Sequence, residues 1–392
     1  MDGSKAGVPG RAWADLSVSA VVAGFVAVLV GYSSSVAIVF QAAQAVGASP
    51  AQTASWMWAL GLAMGVTCIG LSLRWRVPVL TAWSTPGAAL IAATQGVSIG
   101  DATGAFIVCA VLITLAGTTR LFERLMDRVP MAVAAALLAG VLARFGLDAV
   151  LSVRTAPVLV LTMTAAFLVG RRFWPRYAVP GVLLAGVAVA SFEGRLALQG
   201  VHWDWATPVW TSPTFSVAAT VGVALPLFIV TMASQNLPGV AAQRAAGYTT
   251  PVSPVITTTG IVSLLLAPFG AYAINLAAIT AAICMGREAH EDPARRYMAS
   301  VMAGVFYTAL GLAGGAVVGL LAAFPRELVS VVAGLALLGT ITGGLAAALK
   351  EEAHRDAAVL TFLVTLSGLT LGGVGSAFWG VAAGSVALIM RK

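Results

Sequence analysis

The segment VLTAWSTPGAALIAA, residues 79–93, is apolar enough for a lipid bilayer but carries a proline and polar side chains at its centre. Pro86 has no amide hydrogen and disfavours helical angles at Thr85, so a helix should begin at or just after the proline. A helix N-terminus exposes unpaired amide hydrogens and about half a positive charge, which can bind an anion without any basic side chain. Irregular backbone at membrane depth is tolerated only where it is buried in protein or lines a cavity. The segment therefore predicts a substrate site; the alternative is a membrane-spanning helix with a proline kink.

A second segment, GAYAINLAAITAA, begins at Gly270 and aligns with the first at an offset of 189 residues from Thr81. The alignment places Tyr272 opposite Trp83 and Asn275 opposite Pro86, and Asn is a favourable N-cap residue. We therefore expect two half-helices, each preceded by a short extended stretch, with their N-termini facing each other near the middle of the membrane.

Amide and aromatic side chains in two further apolar runs can complete the site. Gln235 and Asn236 precede Pro238, which should end the helix there and leave carbonyl groups free. Gln41 lies at the end of the first apolar run and Tyr32 within it, where packing against a neighbouring helix is the alternative to substrate contact. The predicted substrate-binding residues are Tyr32, Gln41, Trp83, Ser84, Thr85, Pro86, Gly87, Gln235, Asn236, Tyr272, Ala273, Ile274, Asn275 and Leu276.

The charges missing from the apolar segments narrow the choice of ligand. None of the 15 acidic residues falls at the centre of such a segment, and basic residues are absent from the centres too. A cation would require carboxylates, whereas a monovalent organic anion is matched by two positive helix ends and neutral donors. Trp83 and Tyr272 could form the walls around a flat ring. A small aromatic carboxylate satisfies both conditions.

The composition places the chain among all-α polytopic membrane proteins and excludes a soluble enzyme, because 59% of the residues are hydrophobic and 9% are charged. The net charge of +7 is explained by basic membrane loops, and no nucleic-acid-binding motif is present. Cys68, Cys109 and Cys284 lie in apolar runs without metal-ligand spacing. We expect no metal and no cofactor, and the lack of paired His, Asp or Glu at membrane depth disfavours a membrane-embedded enzyme.

Apolar stretches of about 20 residues predict fourteen membrane-spanning segments, of which the third and tenth are the interrupted ones. The segments are 16–40, 53–73, 79–93, 102–117, 129–147, 157–170, 177–190, 215–233, 254–266, 269–285, 296–324, 328–349, 357–371 and 377–390. In this arrangement, eighteen of the 22 Lys and Arg residues lie on the side that holds both termini. The positive-inside rule then predicts that both termini are cytoplasmic.

The fourteen segments divide into seven (residues 1–190) and seven (residues 214–392), joined by a Trp-containing connection at 191–213. Because seven is odd, the second half enters the membrane from the opposite face. The halves are therefore expected to form an inverted repeat about an axis in the membrane plane.

Three runs resemble the benzoate:proton symporter family, often called BenE: PVLTAWSTPGAALI from Pro78, ASQNLPG from Ala233 and the segment 269–283. The family is similar in architecture to nucleobase and sulfate-permease-like transporters. The resemblance implies a core domain of about 14–117 and 214–324 and a gate domain of about 129–190 and 328–390. It also implies uptake of benzoate with a proton across the bacterial inner membrane, and a homodimer. A nucleobase or another anion as substrate of the same fold is the alternative.

The chain departs from its nucleobase relatives at two positions. Those relatives have glutamates in the eighth and tenth segments, where this chain has Gln235 and Asn275. Proton transfer through a protein carboxylate is therefore not expected at the site. One hypothesis is that the proton travels on the substrate's own carboxylate, because desolvation raises the pKa of that group.

Overall fold

The computed structural model describes residues 13–94, 96–126, 130–174, 178–196, 205–313, 324–369 and 376–390. The helices of the first half are α1 (Val18–Ala45), α2 (Pro50–Trp75), α3 (Thr85–Ala93), α4 (Ile99–Thr118), α5 (Leu121–Met126), α6 (Met131–Leu151), α7 (Pro157–Phe173) and α8 (Ala178–Phe192). Those of the second half are α9 (Val217–Ala245), α10 (Val252–Leu266), α11 (Ile279–Met285), α12 (Tyr297–Ala313), α13 (Arg326–Ala348), α14 (Arg355–Leu366) and α15 (Ser376–Met390). Two strands, β1 (Thr81–Trp83) and β2 (Ile274–Leu276), precede the short helices α3 and α11.

Serine side chains fix the starts of several long helices. The Ser17 hydroxyl accepts a hydrogen bond from the Ala20 amide at 3.2 Å and caps α1. Ser49 and Gln52 form a reciprocal capping box at the start of α2, with Pro50 in its first turn. These caps satisfy amides that the helices cannot pair internally.

The expectation that Pro238 ends its helix is wrong, because α9 continues past it to Ala245. Two π-helical turns, Thr220–Ala224 and Met232–Asn236, precede Pro226 and Pro238 respectively. Proline removes an amide donor and crowds the carbonyl four residues earlier, and a widened turn accommodates both effects. The helix is therefore distorted where the sequence predicted a break.

The helices pack in two groups. In the first, α2 packs on α12, α4 on α10, and α1 on α12 and α3. In the second, α6 packs on α13 and α14, α14 on α15, and α7 on α8. The α2–α12 crossing is so close that a Cβ atom built on Gly61 would lie 2.6 Å from the Cα atom of Gly311.

Six helical stretches among the described residues are long and apolar enough to span a bilayer. They are Pro50–Trp75, Ile99–Thr118, Met131–Arg154, Val217–Ala245, Val252–Phe269 and Arg326–Ala348. The count of fourteen and the inverted repeat stay predictions, and residues 314–323 of the eleventh predicted segment lie outside the described residues.

Candidate functional site

The two interrupted segments meet as a pair of antiparallel strands inside the protein. Thr81 pairs with Leu276, Ala82 with Asn275 and Trp83 with Ile274. The ladder is extended at both ends, because the Ala277 amide donates to the Leu80 carbonyl at 2.9 Å and the Ser84 amide to the Ala273 carbonyl at 3.1 Å. The helices that follow leave from opposite ends of this small sheet, so the segments lie side by side rather than tip to tip.

Ser84 caps α3. Its hydroxyl accepts from the Gly87 amide at 3.1 Å and from the Thr231 hydroxyl of α9 at 3.0 Å. The cap uses the Gly87 amide, and Pro86 has none to offer. Within the described residues, the Thr85 amide is left without a protein acceptor in this turn.

The start of α11 carries no side-chain cap. The expectation that Asn275 caps this helix is wrong, because Asn275 lies in β2 and α11 begins four residues later, at Ile279. The cap position is occupied by Ala278, whose side chain cannot accept a hydrogen bond. In the part of the chain that the structure describes, the backbone amides of residues 278–281 donate to no protein acceptor. A helix that begins in this way presents unpaired donors to whatever lies in front of it.

Both helix starts line one cavity with an empty volume of about 520 Å³. This volume is within the range of roughly 300–1,000 Å³ that small-molecule pockets occupy. The lining residues are Val30, Gly31, Ser35, Met64, Ala82, Trp83, Thr85, Phe145, Gln235, Ala277, Ala278, Ile279, Thr280 and Tyr307. None of these lining residues is Asp, Glu, Lys, Arg or His, so the cavity is polar without being charged.

An aromatic cluster holds the indole of Trp83 at the cavity wall. The indole Nε1–H donates to the Ser35 hydroxyl at 3.0 Å, and that hydroxyl donates to the Gly31 carbonyl at 2.7 Å. Tyr32 meets Trp83 edge to face, with ring centroids 4.7 Å apart, and stacks on Tyr307 at 5.8 Å. Because the polar edge of Trp83 is satisfied, the rest of its ring can serve as an apolar wall.

Gln235 and Asn236 are neighbours in sequence but lie in different environments. Gln235 is half-buried and lines the cavity, and its amide has no hydrogen-bond partner among the described side chains and backbone groups. Asn236 is fully buried; its Oδ1 accepts from the Leu276 amide at 2.9 Å and its Nδ2 lies 3.2 Å from the Met232 sulfur. Gln235 is therefore available to a ligand, whereas Asn236 supports β2.

Several other predicted site residues lie beside the cavity rather than on it. Tyr272 packs against Trp56 and Phe106, with ring centroids 5.9 and 5.7 Å away. Asn275 is fully buried, and its Nδ2 donates to the Ala273 carbonyl at 3.2 Å. Other predicted residues absent from the lining are Tyr32, Ser84, Pro86, Gly87, Ala273, Ile274 and Leu276, which lie in or beside the elements that form the wall.

Gln41 is exposed near the end of α1 and does not line the cavity. The sequence analysis in turn missed Met64, Phe145, Thr280 and Tyr307. These residues lie in ordinary apolar helices without local breaks, so only their tertiary placement identifies them. Across the described residues, no group of three or more His, Cys, Asp or Glu side chains could hold a metal ion.

Comparison with known proteins agrees with the motifs. Residues 14–390 match the BenE family model, described as benzoate membrane transport protein. The inner membrane protein YdcO of Escherichia coli (strain K12) is 51% identical over 94% of this chain and 95% of its own length. A benzoate membrane transport protein of Acinetobacter baylyi (strain ATCC 33305 / BD413 / ADP1) is 41% identical over 95% of each chain.

Two solved structures are also similar over most of this chain. The transmembrane domain of a cyanobacterium bicarbonate transporter, BicA, gives a TM-score of 0.46 at 12% identity and covers 96% of this chain and 98% of its own. SLC26A9 gives 0.47 at 11% identity and covers 93% of this chain and 65% of its own. The assignment rests on the sequence matches alone: this chain belongs to the BenE family of benzoate membrane transport proteins.

Proposed function

We propose that this protein is a secondary transporter of the bacterial inner membrane that takes up benzoate, or a similar aromatic carboxylate, together with a proton. The observation that carries the proposal is the uncharged cavity that combines unpaired backbone donors with an aromatic wall. The names of the two relatives supply the membrane and the substrate. An anion of this kind fits the field of two helix N-termini better than a cation would.

In the proposed complex, the carboxylate accepts hydrogen bonds from the first-turn amides of α11, from the Thr85 amide and from the side chain of Gln235. The ring lies against Trp83, with Met64 and Phe145 as further apolar contacts. Donors fixed by the fold need no reorganisation when the anion arrives, which favours binding in an otherwise apolar pocket.

Two movable bodies would give alternating access. We assign the first packing group (about 14–117 and 214–324) to a core that carries the site, and the second (about 129–190 and 328–390) to a gate. Phe145 of α6 is the lining residue that comes from the second group. Cytoplasmic termini and a homodimer belong to this proposal as well.

The test is uptake of radiolabelled benzoate by proteoliposomes that contain the purified protein. We expect saturable uptake that excess unlabelled benzoate abolishes and that uracil or sulfate leaves unchanged. Inhibition by uracil or sulfate without inhibition by benzoate would assign the cavity to a different anion or to a nucleobase.

A further inference from the structure

We infer that a second cavity, which we name the arginine vestibule, is a weak carboxylate-binding site on the path between the substrate cavity and one side of the membrane. It has an empty volume of about 940 Å³, and its lining includes Arg171, Arg287, Arg296, Glu288, Met285 and Thr342. Three basic side chains against one acidic side chain make it electropositive, in contrast to the uncharged substrate cavity. The inference rests on the proposed function, because it takes the transported anion as the ligand.

The position of α11 links the two cavities. Thr280 in its first turn lines the substrate cavity, and Met285 at its last position lines the arginine vestibule. A helix of seven residues spans only about 10 Å. A smaller cavity of about 240 Å³ touches Ile283 between them and also reaches Glu288. Open space therefore follows this helix from one end to the other.

Arg296 removes the obstacle that the C-terminus of α11 would present to an anion. The carbonyl groups at that end carry a partial negative charge. The Arg296 guanidinium is 9% exposed and donates to the carbonyls of Met285 at 2.9 Å, His290 at 2.7 Å and Glu291 at 3.2 Å. With these carbonyls engaged by a cation, a carboxylate can approach this end of the helix.

Arg171 and Arg287 are the cations left to meet a ligand. The Arg287 side chain is exposed and makes no ion pair with a described residue. Arg171, near the end of α7, places its guanidinium 5.8 Å from the centroid of the Phe167 ring, which leaves its hydrogen-bond donors free for an anion. Since the two arginines come from different packing groups, a carboxylate between them would sit at the boundary where the groups move.

The experiment uses a cysteine reporter in the full-length protein purified in detergent. Thr342 is exposed in the vestibule, and the native cysteines Cys68, Cys109 and Cys284 are buried, so Thr342→Cys adds one reactive thiol. We expect an anionic methanethiosulfonate to react about fivefold faster than a cationic one, because a positive cavity concentrates anions. Millimolar benzoate should slow the anionic reagent. Adding Arg171→Gln and Arg287→Gln should bring the two rates together and remove the protection.

Three controls separate the outcomes. Arg154→Gln removes an arginine from outside the vestibule lining and should leave both rates unchanged. Equal rates before arginine removal, or a ratio insensitive to it, would overturn the inference, as would protection by phosphatidylglycerol but not by benzoate. If calorimetry shows that the wild type binds benzoate while the reporter is unprotected, only the vestibule fails. If the wild type binds no benzoate, the proposed function fails as well.

Discussion

Gln235 and Asn236 show how one residue of register separates binding from support. Both are amides in the SQN run before Pro238, and sequence alone offers no basis for assigning them different roles. The π-helical turn at 232–236 directs Gln235 to the cavity and buries Asn236 against β2. We therefore expect their alanine variants to fail in different ways.

Gln235→Ala removes one hydrogen-bond donor from the cavity and leaves no buried partner unsatisfied. It should raise the KM for benzoate about tenfold, equivalent to about 1.4 kcal/mol, without lowering the melting temperature. Uptake assays and thermal unfolding in detergent measure the two effects. The exposed Gln41→Ala is the matched control and should behave like the wild type. A normal KM for Gln235→Ala would move the carboxylate elsewhere.

Asn236→Ala leaves the buried Leu276 amide without its acceptor. The expected cost is about 1–3 kcal/mol of unfolding free energy. A lower melting temperature with reduced yield of folded protein is therefore the predicted result. If Asn236→Ala were as stable as the wild type yet failed to bind benzoate, Asn236 would be a ligand contact after all.

At the scale of elements, a local break was easier to predict than its exact geometry. Pro86 announced the start of α3 to within one residue, since proline restricts the backbone on both sides. The start of α11 was misplaced, because Asn275 is equally suited to a cap and to an exposed turn, and its place in β2 depends on pairing with Ala82. Strand pairing between residues so distant in sequence leaves no local signal.

Helix crossings offer a matched pair of glycines on α2. A Cβ atom on Gly61 would lie 2.6 Å from backbone of α12, whereas one on Gly70 would have no atom within 4 Å. Gly61→Ala should destabilise the protein because backbone cannot move aside easily, whereas Gly70→Ala should be neutral or slightly stabilising through helix propensity. Size-exclusion profiles and melting temperatures measure this difference. Equal behaviour of the two variants would contradict the close α2–α12 crossing.

At the scale of the whole molecule, composition was sufficient to predict a helical membrane protein, and the absence of central charges pointed to a neutral site for an anion. Composition carries no information on which helices face the cavity. Phe145 and Tyr307 reach it only because their helices pack beside the paired strands, and nothing in their local sequence distinguishes them from other apolar residues.

The uncharged cavity also makes a prediction about proton movement. Because no lining residue is a carboxylate or histidine, we expect the proton to move with the substrate's own carboxylate. An inward benzoate gradient should acidify the lumen of proteoliposomes faster than that of protein-free liposomes, in which only passive entry of benzoic acid contributes. Saturable benzoate uptake without added acidification would contradict this form of coupling.

The most direct test of the central claim is an experimental structure of the protein with 4-bromobenzoate, in which the bromine atom marks the ring. We predict ligand density in the cavity beside Trp83 and Gln235, with the carboxylate directed at the first turn of α11 and the bromine directed away from it. A ligand bound outside this cavity, or one whose carboxylate pairs with an ionised side chain, would contradict the claim that fixed backbone donors hold the anion.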